Sequence, residues 1–264
     1  MILDDLVAAS KKNVAADKEN ISLEEMKARA LAVPPKAEFP FEKQLAKPGL
    51  SFICEVKRAS PSKGLIAPDF PYVDIAKEYE KAGAAAVSVL TERDYFLGSP
   101  QYLQEIAAAV QIPVLRKDFI VDAYQIYEAR ALGAAAVLLI CAVLDDETLR
   151  RFFNLADSLG LSALVEAHDE REVRRAIAAG ARVIGVNNRN LKNFTVSLDT
   201  SCRLRPLVPD SILFVAESGI QTAAHTQILR SHGVDAVLIG ETFMRSTDKK
   251  AMLAELAGGS RGQN

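Results

Sequence analysis

The chain repeats one pattern: a helical segment, a glycine, a small residue, and an apolar run about as long as a buried strand. The pattern occurs as EKAGAAAVSVL, ARALGAAAVLLI, IAAGARVIGV and RSHGVDAVLIG. Its glycines, at positions 83, 133, 180 and 233, are 50, 47 and 53 residues apart, which is too long for one βα unit and right for two. Glycine at such a position accepts the left-handed conformation that ends a helix. The pattern therefore predicts alternating helices and strands.

Four further apolar runs lie between the repeats: SFICEV, IPVLR, LSALVE and SILFVAE. They bring the number of predicted strands to eight. The intervening segments carry an apolar stripe at helical spacing, and most begin with a capping residue, namely Asp74, Asp122, Asp145, Asp169 or Thr222. Eight alternating units over this length predict an α/β fold, a closed (β/α)8 TIM barrel formed by residues 49–264. A doubly wound open sheet is the structural alternative.

The first 48 residues precede any predicted strand. Two helical patterns, ILDDLVAASKKNVAADKE and SLEEMKARALA, are followed by the proline-rich tract VPPKAEFPFEKQLAKPG. Because the apolar residues of these helices recur at a spacing that favours burial, we expect an N-terminal helical extension folded onto the barrel or capping one mouth. A flexible leader is the alternative.

Five of the apolar runs end at ionisable or amide side chains rather than at turn residues. The residues are Glu55 with Lys57, Lys117, Glu166, Asn187, and Glu217 with Ser218. Since the carboxyl ends of parallel strands meet at one edge, these side chains are predicted to converge on one polar pocket. Alternation along the first strand would place Ile53, Glu55 and Lys57 inside the barrel and their neighbours under the helices. A structural ion pair between Glu55 and Lys57 is the alternative explanation for that pair.

Two glycines follow the last two predicted strands, Gly219 in FVAESGI and Gly240 in LIGETFM. Backbone N–H groups at such turns can hold a phosphate dianion. Ser218 could add a hydroxyl donor, whereas Glu241 would contribute its backbone N–H and turn its charge away. The loop KRASPSKG after the first strand is basic, and its Pro61 and Gly64 suit a segment that covers the site.

Composition narrows the classes of function. The formal charge is −2, from 32 basic and 34 acidic residues, which gives no reason to expect a nucleic acid or membrane partner. Three widely spaced cysteines indicate reduced thiols, no apolar stretch is long enough to span a bilayer, and the residues show no metal-ligand spacing. We therefore expect a soluble cytoplasmic protein. Its three histidines, His168, His225 and His232, are predicted to have capping, surface or packing roles.

The residues resemble those of the indole-3-glycerol-phosphate synthase family over nearly the whole chain. The motifs that carry the resemblance are EVKRASPSKG at 55–64, SVLTERDYFLGS at 88–99, LRKDFIVDAYQIYEAR at 115–130, LVEAH at 164–168, IGVNNRNL at 184–191 and AESGI at 216–220. The resemblance implies a carboxy-lyase of tryptophan biosynthesis without cofactor or metal. It would close 1-(2-carboxyphenylamino)-1-deoxyribulose 5-phosphate to an indole ring, with loss of carbon dioxide and water.

The resemblance also implies roles for individual residues. Lys117 would protonate the ribulose carbonyl, and Lys57 would bind the substrate and assist decarboxylation. Glu166 would assist dehydration as a base or cation stabiliser. The remaining catalytic candidates are Glu55, supporting the lysines, Asn187, holding the leaving hydroxyl, and Glu217 and Ser218, lining the pocket.

The substrate-binding candidates divide between the two ends of the ligand. Ser218, Gly219, Gly240 and the backbone of Glu241 would take the phosphate. Phe96 and Phe119 would sandwich the anthranilate ring, and Ser60 and Arg189 resemble family positions near the substrate.

Two other functions fit part of the pattern. A phosphoribosylanthranilate isomerase-like barrel would need a Cys or Asp acid and base pair where this chain has Glu55 with Lys57 and Asn187. A non-catalytic sugar-phosphate-binding barrel could keep Gly219 and Gly240, but it would have no use for Lys117 with Glu166. A monomer or a weak homo-oligomer is expected.

Overall fold

The computed structural model describes residues 2–34, 39–190 and 194–258. Positions 35–38 of the predicted proline-rich tract and Leu191, which ends the motif IGVNNRNL, lie outside the described residues. Within the described ranges the strands are β1 (Ser51–Val56), β2 (Ala59–Ser60), β3 (Gly64–Leu65), β4 (Ala86–Leu90), β5 (Val114–Lys117), β6 (Ala136–Ile140), β7 (Ser162–Ala167), β8 (Val183–Asn187), β9 (Leu213–Glu217) and β10 (Ala236–Ile239).

Eight of these strands form a closed barrel in the order β1-β10-β9-β8-β7-β6-β5-β4, and every pair is parallel. The strands β2 and β3 form an antiparallel hairpin in the loop after β1. The predicted (β/α)8 barrel is confirmed, and the open-sheet alternative is wrong because β1 pairs with β10 as well as with β4.

Helices alternate with the barrel strands, and further helices before β1 form the N-terminal extension. They are α1 (Ile2–Asn20), α2 (Leu23–Ala32), α3 (Pro40–Leu45), α4 (Tyr72–Ala82), α5 (Pro100–Ala109), α6 (Ala123–Ala131), α7 (Asp146–Ser158), α8 (Glu170–Ala178), α9 (Asp199–Leu204), α10 (Ala223–Ser231), α11 (Glu241–Arg245) and α12 (Lys249–Leu256). A single 3₁₀ turn, Arg205–Leu207, extends α9. No helix in these ranges is long and apolar enough to cross a membrane.

The local signals at helix ends are mostly confirmed. Asp122, Asp145, Asp169 and Thr222 each accept a backbone N–H at the start of a helix. The prediction for Asp74 is wrong: α4 begins at Tyr72 with Pro71 at its N-cap, so Asp74 lies in the first turn. Proline's fixed φ suits a helix start, and here it moves the start three residues upstream. All four glycines of the repeated pattern have positive φ.

Side-chain alternation along the strands divides the core into two layers. Phe52, Cys54 and Val56 of β1 belong to the layer between the strands and the helices. Ile53 points into the barrel, where it packs with apolar side chains such as Leu115 and Leu164. This is the predicted alternation, and it directs Glu55 and Lys57 inward as well. The three cysteines are free.

The N-terminal helices contact different parts of the barrel. Val14 of α1 and Met26 of α2 pack against Tyr124 of α6, and Lys18 forms an ion pair with Asp122 at 2.7 Å. Phe41 of α3 is fully buried in the interior cluster, together with residues that begin the barrel strands. The helix α3 therefore closes the end of the barrel at which the strands start.

Candidate active site

A cavity of ≈ 510 Å³ opens at the carboxyl ends of the barrel strands. This volume is in the range of sites for small organic ligands. All fourteen predicted site residues line it: Glu55, Lys57, Ser60, Phe96, Lys117, Phe119, Glu166, Asn187, Arg189, Glu217, Ser218, Gly219, Gly240 and Glu241. Predicted site residues up to 186 positions apart in the chain, from Glu55 to Glu241, thus share one cavity.

The two lysines of the cavity are held differently. Lys57 Nζ lies 2.8 Å from Glu55 Oε1, a close ion pair between two largely buried side chains. Lys117 Nζ lies 3.7 Å from Glu166 Oε2 and 3.8 Å from Glu217 Oε2. Because these distances exceed those of a direct hydrogen bond, the Lys117 ammonium lies between two carboxyl groups without being fixed to either. It keeps N–H groups to offer a ligand.

The end of β5 is fixed from behind the barrel. Arg116 points away from the cavity and contacts Asp118 at 3.0 Å and Glu128 at 2.6 Å. It also donates to the carbonyl of Gln125 in α6. Burial would lower the pKa of Arg116, but Glu128 and Asp118 raise it, so the guanidinium stays charged. This buried network holds the backbone on which Lys117 stands.

Burial and mutual contact set the protonation of the central cluster. Burial would lower the pKa of Lys117, yet Glu166, Glu217 and Glu55 together raise it. Burial raises the pKa of Glu217, and the charge of Glu166 raises it further. Burial would also raise the pKa of Glu166, but Lys117, His168 and Asn187 lower it. At neutral pH the site therefore holds an ammonium at Lys117, a carboxylate at Glu166 and a proton on Glu217.

Two glycines make room for the buried carboxylates. A Cβ atom at Gly240 would collide with the Glu55 carboxylate and lie 2.9 Å from Lys57 Nζ. A Cβ atom at Gly185 of β8 would overlap the Glu217 carboxylate. Gly240 thus leaves space for the Glu55–Lys57 ion pair and also forms part of the loop after β10.

The loops after β9 and β10 form the candidate phosphate end. Ser218 and Gly219 have φ of 67° and 80°, so two consecutive residues adopt the left-handed conformation. The Ser218 carbonyl accepts a hydrogen bond from Asn188 Nδ2 at 3.2 Å. Thr242 Oγ1 donates to the Ile220 carbonyl at 2.9 Å, which ties the two loops together.

The Glu241 side chain lies in an electrostatically balanced position. Its Oε1 atom is 3.5 Å from Lys63 Nζ and 3.1 Å from Arg245 Nε. Lys63 belongs to the basic loop after β1 and also lines the cavity. Two cations therefore offset a carboxylate that would otherwise repel a phosphate at Gly240.

The opposite part of the cavity is apolar. The rings of Phe96 and Phe119 have centroids 6.2 Å apart and planes inclined at 39°. Leu3 and Leu6 of α1 line the same cavity, so the N-terminal extension contributes to its wall. A ring stacked between two others needs about 7 Å between their centroids, given carbon contacts of about 3.5 Å on each side. A sandwiched anthranilate would therefore require one phenylalanine to move, and the sandwich stays a prediction.

Two residues near the cluster are not among the predicted site residues. His168 Nε2 lies 3.3 Å from Glu166 Oε1, and its Nδ1 atom lies 3.1 Å from Glu172 Oε2. Asn188 is buried and joins the Ser218 carbonyl to Ser201 of α9. His168 follows Glu166 by two positions at a strand end, and this spacing was the available signal. His225 and His232 lie in and at the end of α10.

The barrel and its polar cluster define a (β/α)8-barrel enzyme. Within the described ranges, no group of three His, Cys, Asp or Glu residues is arranged to hold a metal ion. Solved structures with the same fold include thiamine phosphate pyrophosphorylase from Pyrococcus furiosus, with a TM-score of 0.62 and 16% identity over 82% of this chain and 96% of that one. Another is 3-hexulose-6-phosphate synthase from Salmonella typhimurium, with a TM-score of 0.65 and 14% identity over 79% of this chain and 97% of that one.

The sequence comparisons identify the family. The family model described as indole-3-glycerol phosphate synthase matches residues 3–256. The protein of that name from Ruminiclostridium cellulolyticum is 57% identical over 98% of this chain and 99% of its own length. The one from Endomicrobium trichonymphae is 56% identical over 97% and 99%, respectively. The chain belongs to the indole-3-glycerol phosphate synthase family, whose members are carboxy-lyases of tryptophan biosynthesis.

Proposed function

We propose that the cavity converts 1-(2-carboxyphenylamino)-1-deoxyribulose 5-phosphate to indole-3-glycerol phosphate, carbon dioxide and water. The single observation that carries the proposal is the placement of Lys117, loosely held between Glu166 and Glu217 inside a cavity that also contains the Lys57–Glu55 pair. A protein that only bound the sugar phosphate would not need such a cluster. An isomerase-like mechanism would need a Cys or Asp acid and base pair where this chain has Glu55 with Lys57 and Asn187.

Binding at two ends would fold the substrate for ring closure. The phosphate would lie on the backbone of Ser218, Gly219, Gly240 and Glu241. The anthranilate ring would lie beside Phe96 and Phe119, near Leu3 and Leu6, with Ser60 and Arg189 at the rim. Fixing both ends brings the aromatic carbon that carries the carboxylate close to the ribulose carbonyl, and this orientation lowers the entropic cost of forming the carbon–carbon bond.

Lys117 would act on the carbonyl. As the aromatic carbon attacks, the carbonyl oxygen gains negative charge, and the Lys117 ammonium would stabilise that charge and supply a proton. Because its neighbours raise its pKa, Lys117 holds its proton firmly, and electrostatic stabilisation is the larger part of this role. Lys57, supported by Glu55, would hold the substrate carboxylate until the carbon–carbon bond to carbon dioxide breaks and its electrons neutralise the cationic intermediate.

Glu166 and Asn187 would serve the dehydration. Asn187 Nδ2 lies 3.3 Å from Glu166 Oε1, so the amide and the carboxylate are placed to handle one leaving hydroxyl and one departing proton. The hydroxyl leaves as water with a proton from a lysine ammonium of the cavity. Glu166 takes the proton of the neighbouring carbon in the new five-membered ring, and this loss forms the aromatic indole; return of that proton to the lysine closes the cycle. Glu217 and Ser218 would complete the wall, with Glu217 as a proton reservoir.

The proposal also covers cellular location, binding partners, oligomeric state and domain organisation. The enzyme would work in the cytoplasm on a small-molecule substrate, without cofactor, metal, nucleic acid or membrane, as a monomer or weak homo-oligomer. Residues 1–48 would be an extension packed on a barrel of residues 49–264 within one domain.

The test is direct. Purified protein in a metal chelator would be mixed with the carboxyphenylamino-deoxyribulose phosphate, and indole fluorescence and released carbon dioxide would be followed together. We expect both signals to rise with one-to-one stoichiometry. Substrate binding without turnover, or conversion to phosphoribosylanthranilate, would contradict the proposal.

A further inference from the structure

His168 joins the catalytic cluster to the start of α8. Its backbone N–H donates to Glu172 Oε2 at 2.8 Å, and its Nδ1 atom lies 3.1 Å from the same oxygen. The N–H of Glu172 is itself held by the N-cap residue Asp169 at 2.8 Å. Glu172 is therefore a fixed anchor, and it orients the imidazole ring of His168.

The other edge of the ring faces Glu166. His168 Nε2 is buried and lies 3.3 Å from Glu166 Oε1, but it makes no aligned hydrogen bond to any described residue. The same Glu166 oxygen lies 3.3 Å from Asn187 Nδ2, and the other Glu166 oxygen faces Lys117 at 3.7 Å. The Glu166 carboxylate thus has His168 and Asn187 beside one oxygen and Lys117 beside the other.

The charge on the ring follows from its surroundings. Burial would lower the pKa of His168, but the two glutamates raise it to about 10, so the ring is an imidazolium at neutral pH. Other titratable or charged groups surround the three residues: Lys117 from β5, Cys141 after β6, Asp146 of α7, Arg175 of α8 and Glu217 of β9.

We propose that His168 is a positioning residue for Glu166: its imidazole, anchored on Glu172, fixes the direction of the Glu166 carboxylate and keeps that carboxylate ionised before dehydration. This inference rests on the proposed role of Glu166. A base that is oriented by a third group is a recurrent arrangement in active sites. Both ring nitrogens of His168 face carboxylates. The backbone N–H of His168 also contacts Glu172, and that contact would remain in any variant.

A packing role alone makes a different prediction. If His168 only supported the start of α8, its replacement would lower the thermal stability without changing the pH dependence of turnover. If it positions and ionises Glu166, loss of its positive charge should raise the pKa of Glu166. Activity that needs ionised Glu166 would then be lost at a higher pH on acidification.

Two substitutions separate the contacts of the ring. His168→Gln places an amide nitrogen near the position of Nε2 and can still reach Glu166. His168→Asn places one near Nδ1 and can reach only Glu172. His168→Ala removes both contacts, Glu166→Gln is the reference for loss of the base, and His232→Gln is the matched control at an exposed histidine.

We expect His168→Ala to lower kcat by about tenfold or more, the lower part of the range for acid–base catalysis, with KM changed by less than about threefold. The acidic limb of the kcat/KM profile should move up by about one pH unit, as expected when an opposite charge is removed from beside a carboxylate. His168→Gln should recover most of the kcat with the limb still displaced, whereas His168→Asn should remain slow. His232→Gln should match the wild type.

Two results would overturn the inference. One is kcat within twofold of wild type in His168→Ala with an unmoved acidic limb. The other is a lower kcat that is accompanied by a lower Tm and an unmoved limb. If Glu166→Gln itself keeps wild-type turnover, the proposed role of Glu166 fails instead; if Glu166→Gln is inactive and His168→Ala is normal, only the inference about His168 fails.

Discussion

At the scale of single residues, the catalytic cluster is organised by how firmly each charge is held. Lys57 is bound to Glu55, whereas Lys117 stands at 3.7 Å and 3.8 Å from two carboxylates. The sequence could predict that these groups meet, because each lies at the carboxyl end of a buried apolar run. It could not predict which lysine would be the loosely held one, since that depends on the side-chain positions of three different strands.

Replacement of Lys117 by alanine should lower kcat by about 10²-fold or more, the effect expected when a general acid is lost. The fold should persist, because the end of β5 is held by the buried Arg116 network rather than by Lys117. Steady-state kinetics and thermal unfolding would check both points. Lys81→Ala, the same change at an exposed position on α4, is the control. Wild-type turnover in Lys117→Ala would remove this residue from the mechanism.

The raised pKa of Glu217 has a consequence for stability. The folded protein retains a proton that the unfolded chain releases above its ordinary value of 4.5, so stability falls as the pH rises from there towards the raised pKa. A glutamine at position 217 does not titrate and escapes this loss. We therefore expect the Tm of Glu217→Gln, relative to wild type, to rise between pH 5 and pH 8. Parallel Tm curves for the two proteins would contradict this assignment of the proton.

The balance around Glu241 can be tested from both sides. Glu241→Gln removes a negative charge beside the phosphate end and should lower KM by about two- to fivefold, the size expected for a partly exposed charge pair. Arg245→Gln removes a positive charge from the same oxygen and should raise KM by a similar factor. Both effects should shrink as salt is added. Changes in the same direction would contradict the electrostatic explanation.

His168 shows where residue-level prediction stopped. Its position after LVEA is typical of a residue at a strand end or helix start, and capping or packing is the ordinary role there. The contact with Glu166 follows from continued alternation: positions 166 and 168 direct their side chains to the same side of the chain. Only the structure establishes that Glu172 turns the ring toward Glu166.

At the scale of elements, the sequence pattern was a sufficient guide to the eight barrel strands and most helices, but it did not predict the short hairpin of β2 and β3. The eight predicted runs are the eight barrel strands because each is buried on both faces and therefore continuously apolar. Helix starts were predicted where Asp or Thr caps the helix, and the prediction failed at α4, where Pro71 takes that place. The short helix α3 lies in a tract that is rich in proline and has too few residues for a periodic signal.

The helix α3 provides a test at this scale. Phe41 is fully buried in the interior cluster at the end of the barrel opposite the active site. Phe41→Ala should destabilise the protein by about 3 to 5 kcal/mol, because it leaves a cavity where a large side chain was packed. Denaturant unfolding would measure this loss. The kcat of the folded fraction should stay at the wild-type value, and a large loss of kcat would mean that α3 also affects the site.

At the scale of the whole molecule, barrel closure could be predicted from the number of strands, whereas the path of the N-terminal extension could not. Periodicity shows that its helices bury one face, but it does not specify the partner. In the structure the extension reaches both ends of the barrel: Leu3 and Leu6 of α1 line the cavity, and Phe41 of α3 closes the other end. These contacts depend on the completed barrel rather than on neighbouring sequence.

The long sequence separation of these contacts has a consequence for protein synthesis. The extension pairs with residues made much later: Lys18 with Asp122, 104 positions on, and Glu42 with Arg182, 140 positions on. At ribosomal rates of about 5 to 20 residues per second, roughly 5 to 30 s pass between synthesis of the extension and synthesis of these partners. Chaperones therefore have a long opportunity to bind the nascent extension. The extension is made before the barrel residues that it contacts, and its docking completes the wall of the active site.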